Sequence, residues 1–275
     1  MKPHVFPPRR ILLPTDLGGA SSRALAFGRV LRDQFGAAVH VLHAQYFEMP
    51  PYFSSGQLDV LKRELERSRR LASEYLRKET DSLVGPGAEV IILEKPAVEA
   101  ILETAAELDT DVIVMGTHGR RGAERMWLGS VAEQVMRTSN RPVMAVRESA
   151  RPAPFRHLLC PVSFSDAGRV AFEYAVQIAR TSRARLSVLH AVEPGAPPMD
   201  CPLVDEESRR LCEIEESVAH GSAARTILEA AQAHRPDLVV LGADRKPSLF
   251  GALFSSTTQR VMQASPAPVL VVPRV

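Results

Sequence analysis

Short apolar runs recur along the chain, separated by stretches in which apolar and charged residues alternate with helical spacing. In the first half the runs are Arg10–Leu13, Val39–His43, Glu89–Leu93, Val112–Met115 and Val143–Val146. They lack the every-second-residue polar rhythm of a strand with one wet face, so each is read as a strand covered on both sides. Between them, Ser21–Phe35 and Val98–Leu108 carry helical periodicity, with Ser21 or Ser22 as candidate N-cap of the first. Leu58, Leu61, Leu65, Leu71, Tyr75, Leu76 and Leu83, with Glu, Lys and Arg between them, mark a long amphipathic helix. Strands joined by crossover helices predict a parallel, doubly wound α/β sheet.

The pattern then repeats. Ile11-Leu-Leu-Pro-Thr-Asp16 returns as Leu158-Leu-Cys-Pro-Val-Ser163, and Val39-His-Val-Leu-His-Ala44 as Leu186-Ser-Val-Leu-His-Ala191. Later, Asp111-Val-Ile-Val-Met-Gly116 returns as Asp237-Leu-Val-Val-Leu-Gly242, and Pro142-Val143 as Pro268-Val269. The early pairs share one offset and the later pairs a shorter one, so the second copy lacks about 21 residues between its second and fourth strands. The long helix is the part lost. Only Leu203–Leu211 has helical character there, behind Pro194, Pro197, Pro198 and Pro202. Arg147–Pro154 reads as a stiff linker, dividing the chain into residues 1–150 and 151–275.

Composition narrows the classes. With 45% hydrophobic and 24% charged residues in 275, the chain can fill two cores. A net charge of +2 supplies no field for nucleic acid or an acidic membrane. No apolar run approaches the roughly 20 residues that span a bilayer. Three cysteines, Cys160, Cys201 and Cys212, make no disulfide framework and fit a reducing compartment, so a cytoplasmic location is expected.

The candidate chemistry follows the fourth strand. Gly116-Thr-His-Gly119 is followed by nine residues, then Gly129-Ser130 and a helical stretch, Val131–Arg137. Glycines let backbone approach a ligand, and a helix N-terminus attracts phosphate. Asp16, at the end of the first strand, could accept from ribose hydroxyls or hold Mg2+. On spacing alone, plain turns explain these glycines equally well. Neither GxxxxGK[ST] nor a GxGxxG after the first strand is present. In doubly wound sheets ligands sit outside the strand carboxyl ends where strand order reverses, which expects the first and fourth strands side by side.

The run Gly116-x2-Gly119-x9-Gly129-Ser130 resembles the ATP-binding motif of the universal stress protein family, G-2x-G-9x-G-(S/T). Pro14-Thr15-Asp16, the Leu-His-Ala strand end and Arg141-Pro-Val also resemble that family, twice along the chain. The resemblance implies two tandem Rossmann-like, adenine-nucleotide alpha-hydrolase-like domains, each with a five-stranded parallel sheet. It implies ATP, with or without Mg2+, held by Pro14, Thr15, Asp16, Ala44, Met115, Gly116, Gly119, Arg120, Gly129, Ser130 and Val131. Asp16 would meet ribose, the Ala44 backbone would border adenine, and Gly129 to Val131 would hold the phosphates. It further implies an internal pseudo-dimer through Val143–Val146 and Val269–Val272, which would otherwise be bare edges. A homodimer of whole chains and an unidentified protein partner are the remaining partner expectations.

The second copy departs from the motif. Arg245 stands for Gly119, Ser255-Ser256 for Gly129-Ser130 and Ser163 for Asp16. It is therefore expected to hold no nucleotide, the competing reading being an anion on Arg245 and Lys246. Within the first motif, His118 packs beside the ligand or acts as a proton carrier. Arg120, Arg121 and Arg125 neutralise phosphate or form a solvated loop, and Trp127 is a packing anchor. His43 and His190 are expected to be buried and hydrogen-bonded. A zinc set of Cys201, Cys212, His190 and His220 fits no usual spacing. No nucleophile–base pair and no phosphate-reaching lysine is visible. The expectation is a nucleotide-dependent stress-response module with at most slow ATP hydrolysis or autophosphorylation. An ATP-using enzyme of kinase or adenylate-forming type, and a nucleotide-free scaffold, are the alternatives.

Overall fold

The computed structural model describes residues 6–46, 55–117, 128–192, 204–243 and 255–274. The first repeat runs β1 (Arg10–Pro14), α1 (Gly19–Phe35), β2 (Ala38–Ala44), α2 (Ser55–Leu83), β3 (Glu89–Leu93), α3 (Ala97–Glu107), β4 (Val112–Gly116), α4 (Ser130–Thr138) and β5 (Val143–Val146). The second runs β6 (His157–Val162), α5 (Asp166–Ser182), β7 (Arg185–Val192), α6 (Glu206–Leu211), β8 (Ile214–His220), α7 (Ala223–His234), β9 (Leu238–Ala243), α8 (Ser256–Ala264) and β10 (Val269–Pro273). All ten strands form one sheet, ordered β3-β2-β1-β4-β5-β10-β9-β6-β7-β8. Every neighbouring pair is parallel except β5 and β10, which meet antiparallel with Met144 opposite Leu270. The two bare edges have closed on each other, so their backbone groups are paired and their side chains join a shared core.

That core has two layers. Above one face, α1 and α5 cover Ile11, Val114, Met144, Leu158, Val240 and Leu270. Below the other, α3, α4, α7 and α8 cover Leu12, Ile113, Val143, Leu159, Val239 and Val271. Consecutive strand residues alternate between the layers, which is why the strand sequences read as unbroken apolar runs. A second joint between the repeats is made by side chains of the helices and of the segments before β1 and β6. Phe6 meets Phe35 of α1 and Tyr174 of α5 edge to face, with ring centroids 4.8 and 5.6 Å apart. The Gln34 side chain exchanges hydrogen bonds with the Phe155 backbone, accepting from its N–H at 3.1 Å.

Three local expectations change. Helix α1 starts at Gly19 with Gly18 as N-cap, so neither Ser21 nor Ser22 caps it. Ser21 sits one turn further in, and its hydroxyl reaches back to the Gly18 N–H at 3.1 Å. On α2, Leu71 and Tyr75 are exposed, and the buried positions near its end are Leu76 and Thr80. Spacing alone does not tell which edge of a wide apolar stripe meets the sheet. In the second repeat the helix before β8 begins at Glu206, capped by Asp205, whose carboxylate accepts from the Ser208 N–H at 2.7 Å. It has 6 residues against 29 in α2, the truncation that the shorter offset implies.

Candidate functional site

The strand order reverses between β1 and β4, and their ladder is recorded at only two positions, Ile11 with Val112 and Leu12 with Ile113. Pro14 explains why the ladder stops there. The Thr15 N–H donates to the Leu42 carbonyl of β2 at 2.8 Å. Backbone groups alternate sides along a strand, so the nitrogen of Pro14 faces β4 and carries no hydrogen to continue that ladder. The ladder ends there, and the switch-point crevice of such a sheet falls at these carboxyl ends.

Residues expected at the site gather around this opening. Pro14, Thr15 and Met115 are buried in its walls, Asp16, Ala44, Gly116, Gly129 and Val131 are half-buried, and Ser130 is exposed. Gly119 and Arg120 lie outside the described residues, as do His118, Arg121, Arg125, Trp127, Cys201, Arg245 and Lys246. The loop between β4 and α4 is closed at its base: the Thr117 N–H donates to the Val146 carbonyl at 2.9 Å, and the Gly129 N–H to the Thr117 carbonyl at 2.7 Å. The ring of His43 lies 2.8 Å through Nδ1 from the Thr15 carbonyl, and His190 repeats the contact with Val162 at 3.1 Å. Both histidines are thus hydrogen-bonded struts, as expected, but each is half-buried where full burial was expected, because each sits near the carboxyl end of its strand. Among the described residues no group of His, Cys, Asp and Glu could hold a metal.

Two helices point their N-termini at the crevice, and the protein treats them differently. At α1, Asp16 Oδ1 accepts from the Gly18 N–H at 3.0 Å and from the Ser21 hydroxyl at 2.7 Å. The Glu148 carboxylate also lies against Gly19, so close that a Cβ there would stand 2.3 Å from its Oε1. Two acidic side chains therefore serve the positive end of α1. At α4 the N-cap is Gly129, which brings no side-chain oxygen. The first intrahelical bond runs from the Glu133 N–H to the Gly129 carbonyl at 2.9 Å, leaving the amides of Ser130, Val131 and Ala132 ahead of it. The acid of this first turn, Glu133, is paired with Arg137. The end of α4 has the features of an anion site.

The second repeat closes both ends with its own side chains. Ser165 caps α5, accepting from the Gly168 N–H at 3.1 Å. Ser255 caps α8, accepting from the Thr258 N–H at 3.2 Å. Where Glu148 lies against Gly19, the second repeat inverts the charges and pairs Arg274 with Asp166 at 2.9 Å.

Gly116 has a second reason to be glycine. A Cβ there would stand 2.8 Å from the backbone of Ala20 and Ser21, so α1 can cross this strand end only over a bare backbone. The same holds at Gly242, where a Cβ would meet the Ala167 carbonyl oxygen at 2.1 Å. This packing need explains why the second repeat keeps Gly242 although its other motif positions have changed. Sequence reading also missed Glu148. It sits in the linker, and only the fold brings it to α1.

The architecture defines a duplicated, doubly wound α/β protein whose first repeat leaves the end of α4 without a side-chain cap beside the β1/β4 switch point. Sequence comparison matches the universal stress protein family over residues 8–147 and 154–273, and the chain belongs to that family. A Thermus aquaticus universal stress protein is 34% identical over 141 residues, 50% of this chain and 98% of that one. Among solved structures, a universal stress protein from Archaeoglobus fulgidus matches 98% of this chain and 100% of its own with a TM-score of 0.75 at 21% identity, a likeness of fold. A universal stress protein solved in complex with cAMP also matches 44% of this chain and 98% of its own, with 25% identity and a TM-score of 0.37.

Proposed function

We propose that the first repeat binds ATP, with or without Mg2+, and that the chain acts as a nucleotide-dependent regulatory module of the stress response. The supporting observation is the asymmetry of helix ends: Gly129 leaves α4 uncapped beside the crevice, whereas Ser255 caps α8. The residues present suit the ligand. Asp16 would accept from a ribose hydroxyl, the Ala44 backbone would border adenine, and Pro14, Thr15, Met115 and Gly116 would form the wall below the sugar. Gly129 would let the phosphates approach the bare end of α4, where the amides of Ser130 and Val131 and the Ser130 hydroxyl would donate to their oxygens, with Gly119 and Arg120 in the intervening segment. Residues 1–150 would be the nucleotide domain and 151–275 a nucleotide-free partner domain docked on it. The cytoplasm, where ATP and reduced cysteines coexist, is the compartment this reading assigns.

Signalling requires only that the nucleotide favour one conformation over another, since a ligand with equal affinity for two states shifts neither. The test is thermal unfolding with and without ATP. At a ligand concentration of 100 times its dissociation constant, binding adds about 2.7 kcal/mol. Gly129→Ser, which copies the capped end of the second repeat, should raise intrinsic stability by a few tenths of a kcal/mol and weaken the ATP response. Absence of any ATP-dependent shift in the native protein would remove the proposal.

A further inference from the structure

The two outer edges of the sheet are covered differently. In the first repeat α2, 29 residues long, packs against the edge strand β3, whose Val90 and Ile92 join the core on that face. In the second repeat the equivalent helix has shrunk to the 6 residues of α6, and β8 is the last strand of the sheet. Among the described elements only β7 packs extensively on it. Val218, near its centre, is 48% exposed, and Glu215, Ser217 and His220 are exposed beside it. With 7 residues β8 is also longer than β3, which has 5. An uncovered edge of this length is a template for another strand, and bulges or proline are the usual means of blunting one. The β7–β8 register runs unbroken from Leu186 opposite Ile214 to Val192 opposite His220, and β8 contains no proline.

The hydrogen bonds to β7 decide which backbone groups of β8 face outward. The Leu186 N–H donates to the Glu213 carbonyl at 2.9 Å, and the Gly221 N–H donates to the Val192 carbonyl at 3.0 Å. Backbone groups alternate sides along a strand, so the odd-numbered residues from Glu213 to Gly221 face β7. The N–H and C=O groups of Ile214, Glu216, Val218 and His220 therefore point out of the sheet edge. A second β8 running antiparallel about Val218 meets this row in a self-complementary register. Val218 lies opposite itself, which covers its exposed side chain. Glu216 lies opposite His220, whose ring N–H can donate to the carboxylate. Like charges are kept apart in this register. Within the chain Glu216 is already paired with Arg209, and Glu215 lies 3.7 Å from Arg185, so the acids on the strand are compensated before a partner arrives. The chain closes two other edges in the same way, by the antiparallel pairing of β5 with β10.

We propose that β8 is a docking edge for a second copy of this chain, the two β8 strands pairing antiparallel across a two-fold axis at Val218. The contact is small, so the dimer is reversible and forms in the micromolar range. The experiment is sedimentation velocity of the full chain over a range of concentrations. The native protein should sediment as a monomer at about 1 μM and as a dimer at about 300 μM. Val218→Pro removes an N–H that β7 does not use, so it should weaken the dimer roughly tenfold or more while leaving the melting temperature unchanged. Val218→Lys sets two ammonium groups opposite each other and should have the same effect. Glu216→Lys should also weaken the dimer, and adding His220→Glu should restore it. A native chain still monomeric at about 300 μM, or an equally strong dimer in Val218→Lys, would overturn the proposal. Failure of His220→Glu to restore the dimer would overturn the register on which it rests. Should Val218→Pro fail to fold, Val218→Lys decides.

Discussion

Replacing Gly242 by alanine should damage the fold although no ligand is assigned to that strand end. The added Cβ would stand 2.1 Å from the Ala167 carbonyl oxygen and 2.4 Å from its carbon, both backbone atoms of α5 that cannot rotate away. Carbon needs more than 3 Å from each, so the helix must slide by about 1 Å over a close-packed core. That lies at the upper end of the overpacking range, about 3 kcal/mol. Gly116→Ala meets the α1 backbone at 2.8 Å, a smaller overlap that should cost about 1–2 kcal/mol. At roughly 2–4 °C per kcal/mol, the melting temperature should fall by about 6–12 °C for Gly242→Ala and about 2–8 °C for Gly116→Ala. Scanning calorimetry reads both. While folded, Gly242→Ala should respond to ATP as the native chain does, and Gly116→Ala should respond less. A melting temperature for Gly242→Ala within 1 °C of native, on the order of measurement error, would refute the claim that helix packing selects this glycine.

Three further outcomes test other parts of the structure. Phe155→Ala removes a fully buried ring packed beside Phe35 at the joint between repeats and should cost about 3–5 kcal/mol in urea unfolding; an effect under about 1 kcal/mol would mean that the joint is not cooperative. Ser255→Ala removes the cap of α8 and should cost about 1 kcal/mol with no change in ATP affinity, and weakened ATP binding there would implicate the second repeat. Burial pushes the Cys160 thiol up to about 12, so at pH 8 iodoacetamide should label it only as fast as the chain unfolds. Labelling of the native protein at the rate of a free thiol would contradict the placement of β6 in the core.

The fold was legible because the duplication supplied its own internal control. Ile11–Asp16 and Leu158–Ser163 marked equivalent strands, and the change of offset located the shortened helix before β8. The pairing of β5 with β10 was implied by the family resemblance, and it closes edges that would otherwise be bare. What stayed hidden depends on contacts distant in sequence. Gly116 reads as a ligand-approach glycine, and only the crossing of α1 reveals that Ala20 and Ser21 also demand it. Ser21 reads as an N-cap, yet the helix begins at Gly19 and Ser21 instead joins Asp16. The loss of Gly129 in the second copy is visible in the sequence, but the meaning of its replacement is not. Ser255 caps α8 and turns a missing glycine into a closed helix end. Glu148 and Phe6 carry no local pattern at all, since each acts on a helix far along the chain.

The central claim is that one repeat of the duplicated pair holds ATP and the other does not. Isothermal titration calorimetry of the full chain with ATP reads this directly through its stoichiometry. The account predicts about one ATP per chain, with binding lost in Asp16→Ala and unchanged in Ser163→Ala. A stoichiometry of about two, or no heat of binding from a folded sample freed of retained nucleotide, would contradict it.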